Sequence, residues 1–150
     1  MKLWMSLYGF FWLAVAQVLL GVLLATDGSG AGALPYLHAG VGAAVVAWAF
    51  LNFRAVRATR APGRTKRTAA ATFGISVGMA GLGILLWLGV EAGASALGGF
   101  AGDAVAFAHL LLALAIVTQA ASTATGFDMW EEREFERGTE PGVVPAPARR

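Results

Sequence analysis

Apolar residues fall in four long runs separated by short stretches rich in glycine or charge. The runs cover about residues 3–25, 34–53, 69–90 and 105–125, and none of them contains a charged residue. Each run holds roughly 20 residues, the length of an α-helix that crosses the hydrocarbon core of a bilayer. A segment in lipid must satisfy its own backbone hydrogen bonds, so each run is predicted to be helical. The pattern predicts an all-α integral membrane protein.

The connections between the runs differ in charge. Residues 26–33 and 91–104 contain no lysine or arginine, whereas residues 54–68 contain six basic residues. The other basic residues lie before the first run or after the fourth, so all 11 fall on one side of a four-helix arrangement. This is the positive-inside pattern. We therefore expect a multi-pass protein of the cell (inner) membrane, with both chain ends in the cytoplasm and the basic connection near anionic lipid rather than nucleic acid.

Composition agrees with a membrane protein and excludes several kinds of cofactor and cross-link. Of 150 residues, 57% are hydrophobic and 13% are charged, against about 25% charged in a soluble domain. The absence of cysteine excludes disulfides, thiolate-held clusters and a covalently attached c-type haem. Short connections predict an up-down four-helix bundle over residues 1–127. Residues 128–150 are predicted to form a cytoplasmic tail, beginning with a short charged helix and ending in a proline-rich stretch.

The chain has two histidines, and they occupy matched positions. His38 lies about one turn into the second predicted helix and His109 about one turn into the fourth. Both helices start on the same side, so both side chains lie about 6–8 Å below that boundary at about 1.5 Å per residue. These helices are diagonal in an up-down bundle, so the imidazoles can face each other across the core. Two neutral imidazoles suit the axial positions of a haem iron, and we predict one haem b.

A haem needs space beside each ligand, and small residues lie near both histidines. Gly42 and Ala113 each follow a histidine by one helical turn and therefore share its face. Gly21 in the first helix, and Gly81 or Gly83 in the third, are predicted to relieve crowding at a similar depth.

Other roles for the histidines stay open. They can be interfacial residues, or an intramembrane histidine can serve a proton relay or another polar function. The connections on the histidine side contain no arginine or lysine that could pair with haem propionates. Ser29, Tyr36, backbone N–H groups, water or another subunit would have to do so.

Polar and small residues elsewhere in the helices suggest packing roles. Interhelical hydrogen bonding is the predicted role of the polar side chains far from the histidines, and a quinone pocket is the alternative. These side chains are Asn52, Thr72, Ser76, Thr118, Gln119, Ser122 and Thr123. Gly74-x-x-x-Gly78 is predicted to be a packing face, within the bundle or between subunits. Gln17 lies in mid-helix and needs a partner that the sequence does not identify.

A weak internal repeat relates the two helical hairpins. Residues 20–24, Leu-Gly-Val-Leu-Leu, resemble residues 82–86, Leu-Gly-Ile-Leu-Leu, so Gly21 aligns with Gly83. Each segment is followed by a connection rich in glycine and alanine and then by a helix with one early histidine. The second of these connections is the longer one. The repeat predicts two hairpins in parallel order.

These features resemble half of a haem A synthase, a family whose members look like two such bundles in tandem, each with a histidine pair. Residues 16–24 are similar to the Gln-x-x-x-Gly run in that family's odd-numbered helices. The resemblance covers about residues 10–120 and implies a bundle that holds haem. The family's catalytic half has a glutamate three residues before a haem-ligating histidine. Pro35 and Ala106 occupy those places here, so the resemblance does not imply haem hydroxylation.

We therefore expect a small b-type cytochrome that acts as an electron-transfer subunit of a respiratory or redox membrane complex, rather than a stand-alone enzyme. The expected partners are the lipid bilayer and other membrane subunits or a second copy, with a quinone as a further candidate. One alternative is a non-catalytic accessory subunit without a cofactor. Another is a half-size haem-modifying enzyme that assembles as a dimer.

Overall fold

A computed structural model of the protein describes residues 2–27, 32–91 and 100–139. Within these ranges the chain is helical, without strands, and all of its helices are long and apolar enough to cross a membrane. This confirms the predicted all-α membrane fold. The helices are α1 (Leu3–Asp27), α2 (Leu34–Ala58), α3 (Gly63–Glu91) and α4 (Phe100–Thr139).

The helices form a closed ring. Each helix packs against the next, and α4 packs back against α1. The connection between α2 and α3 is short, as in an up-down bundle. α2 and α4 are therefore diagonal, as the sequence predicted. We call the end with the α2–α3 connection the basic end, and the opposite end, where α2 and α4 begin, the histidine end.

The basic connection is shorter than predicted because α2 and α3 extend into it. Only residues 59–62 separate the two helices, where the apolar pattern predicts a connection over 54–68. The intervening arginine, lysine and alanine residues are good helix formers outside lipid. The backbone N–H and hydroxyl of Thr59 both donate to the Val56 carbonyl, at 3.2 and 2.8 Å, and end α2. Pro62 immediately precedes α3, where proline is well tolerated.

α4 is also longer than its apolar run. It continues to Thr139, so the predicted charged helix is not a separate element and the predicted bundle–tail boundary at 127–128 falls inside one helix. Phe127 is buried, and its ring lies 5.4 Å from that of Trp130. Both side chains pack into a buried cluster at the basic end that includes residues of α1 and α2, and this packing anchors the start of the extension. Asp103 lies in the first turn of α4, a position that favours a carboxylate.

Two buried clusters hold the ring together, and large apolar side chains cover its outside. One cluster fills the middle of the bundle and the other its basic end. Trp12, Leu51 and Ile84 are among the outward-facing residues, with exposed fractions of 65%, 63% and 62%. Such a surface suits lipid, so the protein is a multi-pass membrane protein. The predicted propionate partner Ser29 and the proline-rich stretch of residues 140–150 lie outside the described residues.

Candidate functional site

His38 and His109 meet inside the bundle at its histidine end. The centres of their rings are 6.3 Å apart, and the ring planes are inclined by 57°. Each side chain is partly buried. Two imidazoles that bind one metal ion from opposite sides have centres roughly 6–6.5 Å apart, because a metal–nitrogen bond is about 2 Å long and the nitrogen lies about 1.1 Å from the ring centre. The observed spacing matches that separation.

Each imidazole lies against a glycine of the preceding helix. A β-carbon placed on Gly21 would be 3.1 Å from His38 Cε1, and one placed on Gly83 would be 3.2 Å from His109 Cε1. A side chain at either position would therefore crowd the ring. Gly21 and Gly83 were predicted to relieve crowding around a haem, and in the structure they make room for the imidazole rings themselves. A β-carbon on Gly81 would meet open space. Gly21 and Gly83 are also the glycines that the internal repeat aligns. Each hairpin therefore repeats the same contact between a glycine and an imidazole.

Different groups hold the two rings. Gln17 Nε2 lies 2.9 Å from the His38 carbonyl oxygen and 3.3 Å from His38 Nε2. His109 Nδ1 lies 3.2 Å from the carbonyl oxygen of Met79. The alignment of Gly21 with Gly83 also places Gln17 opposite Met79, since each precedes its glycine by one helical turn. Sequence reasoning left Gln17 without a partner and missed Met79, and the repeat is the signal that relates the two positions.

Some polar atoms at this site have no hydrogen-bond partner. Gln17 Oε1 and His38 Nδ1 are both buried and unpaired among the described residues. Buried polar atoms in folded proteins are nearly always hydrogen-bonded. The unpaired atoms therefore set this site apart from ordinary interior packing.

A side chain fills the room that Gly42 provides next to His38. A β-carbon on Gly42 would lie 3.1 Å from Gln17 Nε2, so the Gln17 amide uses the room that this glycine provides. Ala113 lines a pocket with Gln17 and Met79 that measures about 190 Å³ including its open side. The donor spacing fits a haem, but the Gln17 amide lies in room beside His38 that a porphyrin would need, so haem binding would have to displace this side chain.

The described residues contain no cluster of three or more histidine, cysteine, aspartate or glutamate side chains that could hold a metal ion. A metal ion held by the histidine pair would need further ligands from elsewhere. A porphyrin supplies four nitrogen ligands and requires only the two axial ones from protein.

Most polar side chains far from the histidines do not join helices. Each of five hydroxyl groups donates to the carbonyl four residues earlier in its own helix, at 2.8–3.0 Å. The prediction of interhelical hydrogen bonding is therefore wrong for these residues, because a carbonyl of the same helix is always within reach of a serine or threonine. The five are Thr72, Ser76, Thr118, Ser122 and Thr123.

Asn52 does join two helices. The Ser6 hydroxyl of α1 donates to Asn52 Oδ1 at 2.7 Å, and the Trp48 indole N–H donates to Ser6 Oγ at 2.9 Å. Asn52 Nδ2 is buried without a partner among the described residues. The side chain lines a pocket of about 240 Å³, including its open side, together with Phe10 and Phe53. This pocket is where the alternative quinone role would apply.

The Gly74-x-x-x-Gly78 face points away from the bundle. A β-carbon on either glycine would meet no atom within 4 Å. Of the two predicted roles, packing within the bundle therefore does not apply to these residues. The face is open to lipid or to another membrane helix.

No protein-family model, curated protein or solved structure matches the chain. A proposal on function therefore rests on the geometry of the imidazole pair and the residues that hold it.

Proposed function

We propose that this protein is a small membrane cytochrome in which His38 and His109 hold one haem b. The observation that carries the proposal is the 6.3 Å separation of two imidazole rings from diagonal helices. A haem with two histidine ligands is a one-electron carrier without an open iron position for a substrate. The proposed activity is therefore electron transfer rather than a reaction at the haem.

The residues around the pair support a ligating role. The Met79 carbonyl can only accept a hydrogen bond, so His109 Nδ1 carries the proton and its Nε2 keeps a lone pair. Histidines that bind metals commonly donate their other ring N–H in this way. Gly21 and Gly83 let both rings lie close to α1 and α3. With the basic end in the cytoplasm, the haem lies near the extracytoplasmic face of the cell membrane.

An electron carrier needs a donor and an acceptor. The described helices present mainly apolar side chains outward, which favours partners within the membrane. We propose that the protein is a subunit of a larger respiratory or redox complex, or pairs with a second copy. The open face at Gly74 and Gly78 suits contact with another helix. A quinone is the proposed lipid-soluble partner if electrons leave within the bilayer.

A second candidate function is that of a non-catalytic accessory subunit without a cofactor. The tight packing of Gln17 beside His38 and Gly42 favours it, since this amide occupies space that a porphyrin would need. In that case the two histidines are polar packing residues.

An absorption spectrum separates the two candidates. The protein is produced in cells supplied with haem, purified in detergent and measured as a reduced-minus-oxidised difference spectrum. We expect the Soret and visible bands of a low-spin haem, with loss of those bands in His38→Ala and in His109→Ala. Thr118→Val, an exposed change on α4, should keep them. A wild-type protein without a Soret band, or bands unchanged in either histidine variant, overturns the haem proposal.

A further inference from the structure

The Gln17 amide contacts His38 at two places. Its nitrogen lies 2.9 Å from the main-chain carbonyl oxygen of His38 and 3.3 Å from His38 Nε2. The Gln17 side chain is only 5% exposed and comes from the neighbouring helix α1. One side chain therefore holds both the backbone and the ring of this histidine.

The carbonyl contact fixes the orientation of the amide. A carbonyl oxygen can only accept, so the NH₂ group of Gln17 must face it and Oε1 must point elsewhere. The NH₂ group has two hydrogens and no lone pair to offer. One hydrogen is used on the His38 carbonyl, and the other is available to His38 Nε2. A ring nitrogen in contact with this donor must be the unprotonated one, so the proton of a neutral His38 lies on Nδ1.

His109 reaches the same protonation pattern by another route. Its Nδ1 faces the Met79 carbonyl at 3.2 Å and therefore carries the proton. Nε2 is thus the lone-pair nitrogen in both rings. A main-chain carbonyl sets the pattern in the second hairpin, and a side chain sets it in the first. Gln17 and Met79 occupy equivalent positions in the internal repeat, as Gly21 and Gly83 do.

We propose that Gln17 is a positioning residue that selects the tautomer of His38 in which Nε2 is unprotonated. The purpose of this selection rests on the proposed function. The Gln17 N–H keeps the proton off Nε2, and a metal ion, which binds the unprotonated imidazole nitrogen, would take the place of that N–H on the Nε2 lone pair. The arrangement leaves His38 Nδ1 and Gln17 Oε1 buried without partners among the described residues. Buried polar atoms are nearly always hydrogen-bonded, so an arrangement that leaves two of them unpaired at one contact does not maximise hydrogen bonding.

The test is nitrogen NMR of the haem-free, full-length protein labelled with ¹⁵N-histidine in detergent micelles. The shifts of Nδ1 and Nε2 report directly which nitrogen carries the proton, and the single-histidine variants assign the signals. In the wild-type protein we expect both histidines to be protonated at Nδ1. In Gln17→Leu we expect His38 to shift to a mixture of tautomers or to the Nε2-protonated form, with His109 unchanged.

Two further variants sharpen the test. Gln17→Glu presents an acceptor where the amide presents a donor, so it should move the His38 proton to Nε2. Met79→Leu is the matched control at the equivalent place in the second hairpin. It should leave His109 unchanged, because the contact there is made by the main chain. If Gln17→Leu does not fold, Gln17→Met substitutes the residue that the second hairpin carries at that position.

The inference is overturned if wild-type His38 is protonated at Nε2, or if its tautomer is the same in wild type and in the Gln17 variants. These outcomes differ from those of the haem test. A protein with the expected tautomers but no Soret band retains the role of Gln17 and loses the haem proposal. A protein with a Soret band whose His38 tautomer does not change in the Gln17 variants retains the haem proposal and loses the role of Gln17.

Discussion

The substitution Gly83→Ala tests whether the glycine beside His109 is required for the position of the imidazole. Its β-carbon would lie 3.2 Å from His109 Cε1, closer than an ordinary contact of 3.4–4 Å. The ring is not free to move away, because its Nδ1 is held 3.2 Å from the Met79 carbonyl oxygen. The added methyl group must therefore displace the ring and weaken this hydrogen bond. Gly81 lies on the same helix beside open space, so Gly81→Ala is the matched control.

The expected magnitude follows from two opposing effects. Replacing glycine by alanine within a helix stabilises by about 0.5–1 kcal/mol, and both variants share this gain. Overpacking at a tight contact costs about 1–3 kcal/mol, and only Gly83→Ala incurs it. We therefore expect Gly83→Ala to have a free energy of unfolding about 1–3 kcal/mol below that of Gly81→Ala. In a chain of this length that difference corresponds to roughly 2–12 °C in Tm.

Thermal unfolding followed by circular dichroism, in one detergent for all variants, measures this difference. Gly81→Ala should unfold at or above the wild-type temperature, and Gly83→Ala should unfold below Gly81→Ala. Equal unfolding temperatures for the two variants would show that the ring is not constrained on that side. Gly83 would then not be required for the position of the His109 ring.

Two further predictions concern the network at the basic end and the topology. Ser6→Ala removes the hydrogen bond to Asn52 and should lower the free energy of unfolding by about 1–3 kcal/mol, whereas the exposed Ser122→Ala should change it by about 0.5 kcal/mol or less. Equal effects would contradict the network. The chain has no cysteine, so Ala33→Cys should react with an impermeant thiol reagent on intact cells, and Arg60→Cys only after lysis. The reverse pattern would contradict the proposed orientation.

The four helices could be predicted because lipid leaves an uncharged run of this length no alternative to a helix. The ends of the helices could not be predicted, because an apolar run shows which residues lie in lipid but not where the helix stops. α2 continues to Ala58 and α4 to Thr139 through charged sequence. Arginine and glutamate there are good helix formers in water.

The pairing of the histidines could be predicted from their equal depth on diagonal helices. The contacts around them could not, because sequence spacing gives the depth of a residue but not the rotation of each helix about its axis. That rotation turns Gln17 towards His38 and Gly42, so the amide occupies room that the sequence assigned to a cofactor. The hydroxyl groups were misassigned for a different reason. Each can bond within its own helix, so polarity alone does not predict a contact between helices.

The proposed function requires that the two imidazoles share a single bound group. The most direct test is a titration of the purified protein with haem, followed at the Soret maximum, to determine the stoichiometry and the spin state. We expect saturation at one haem per chain with a low-spin spectrum, and loss of this binding in both His38→Ala and His109→Ala. Absence of saturation, or an unchanged stoichiometry in either single variant, would contradict the claim.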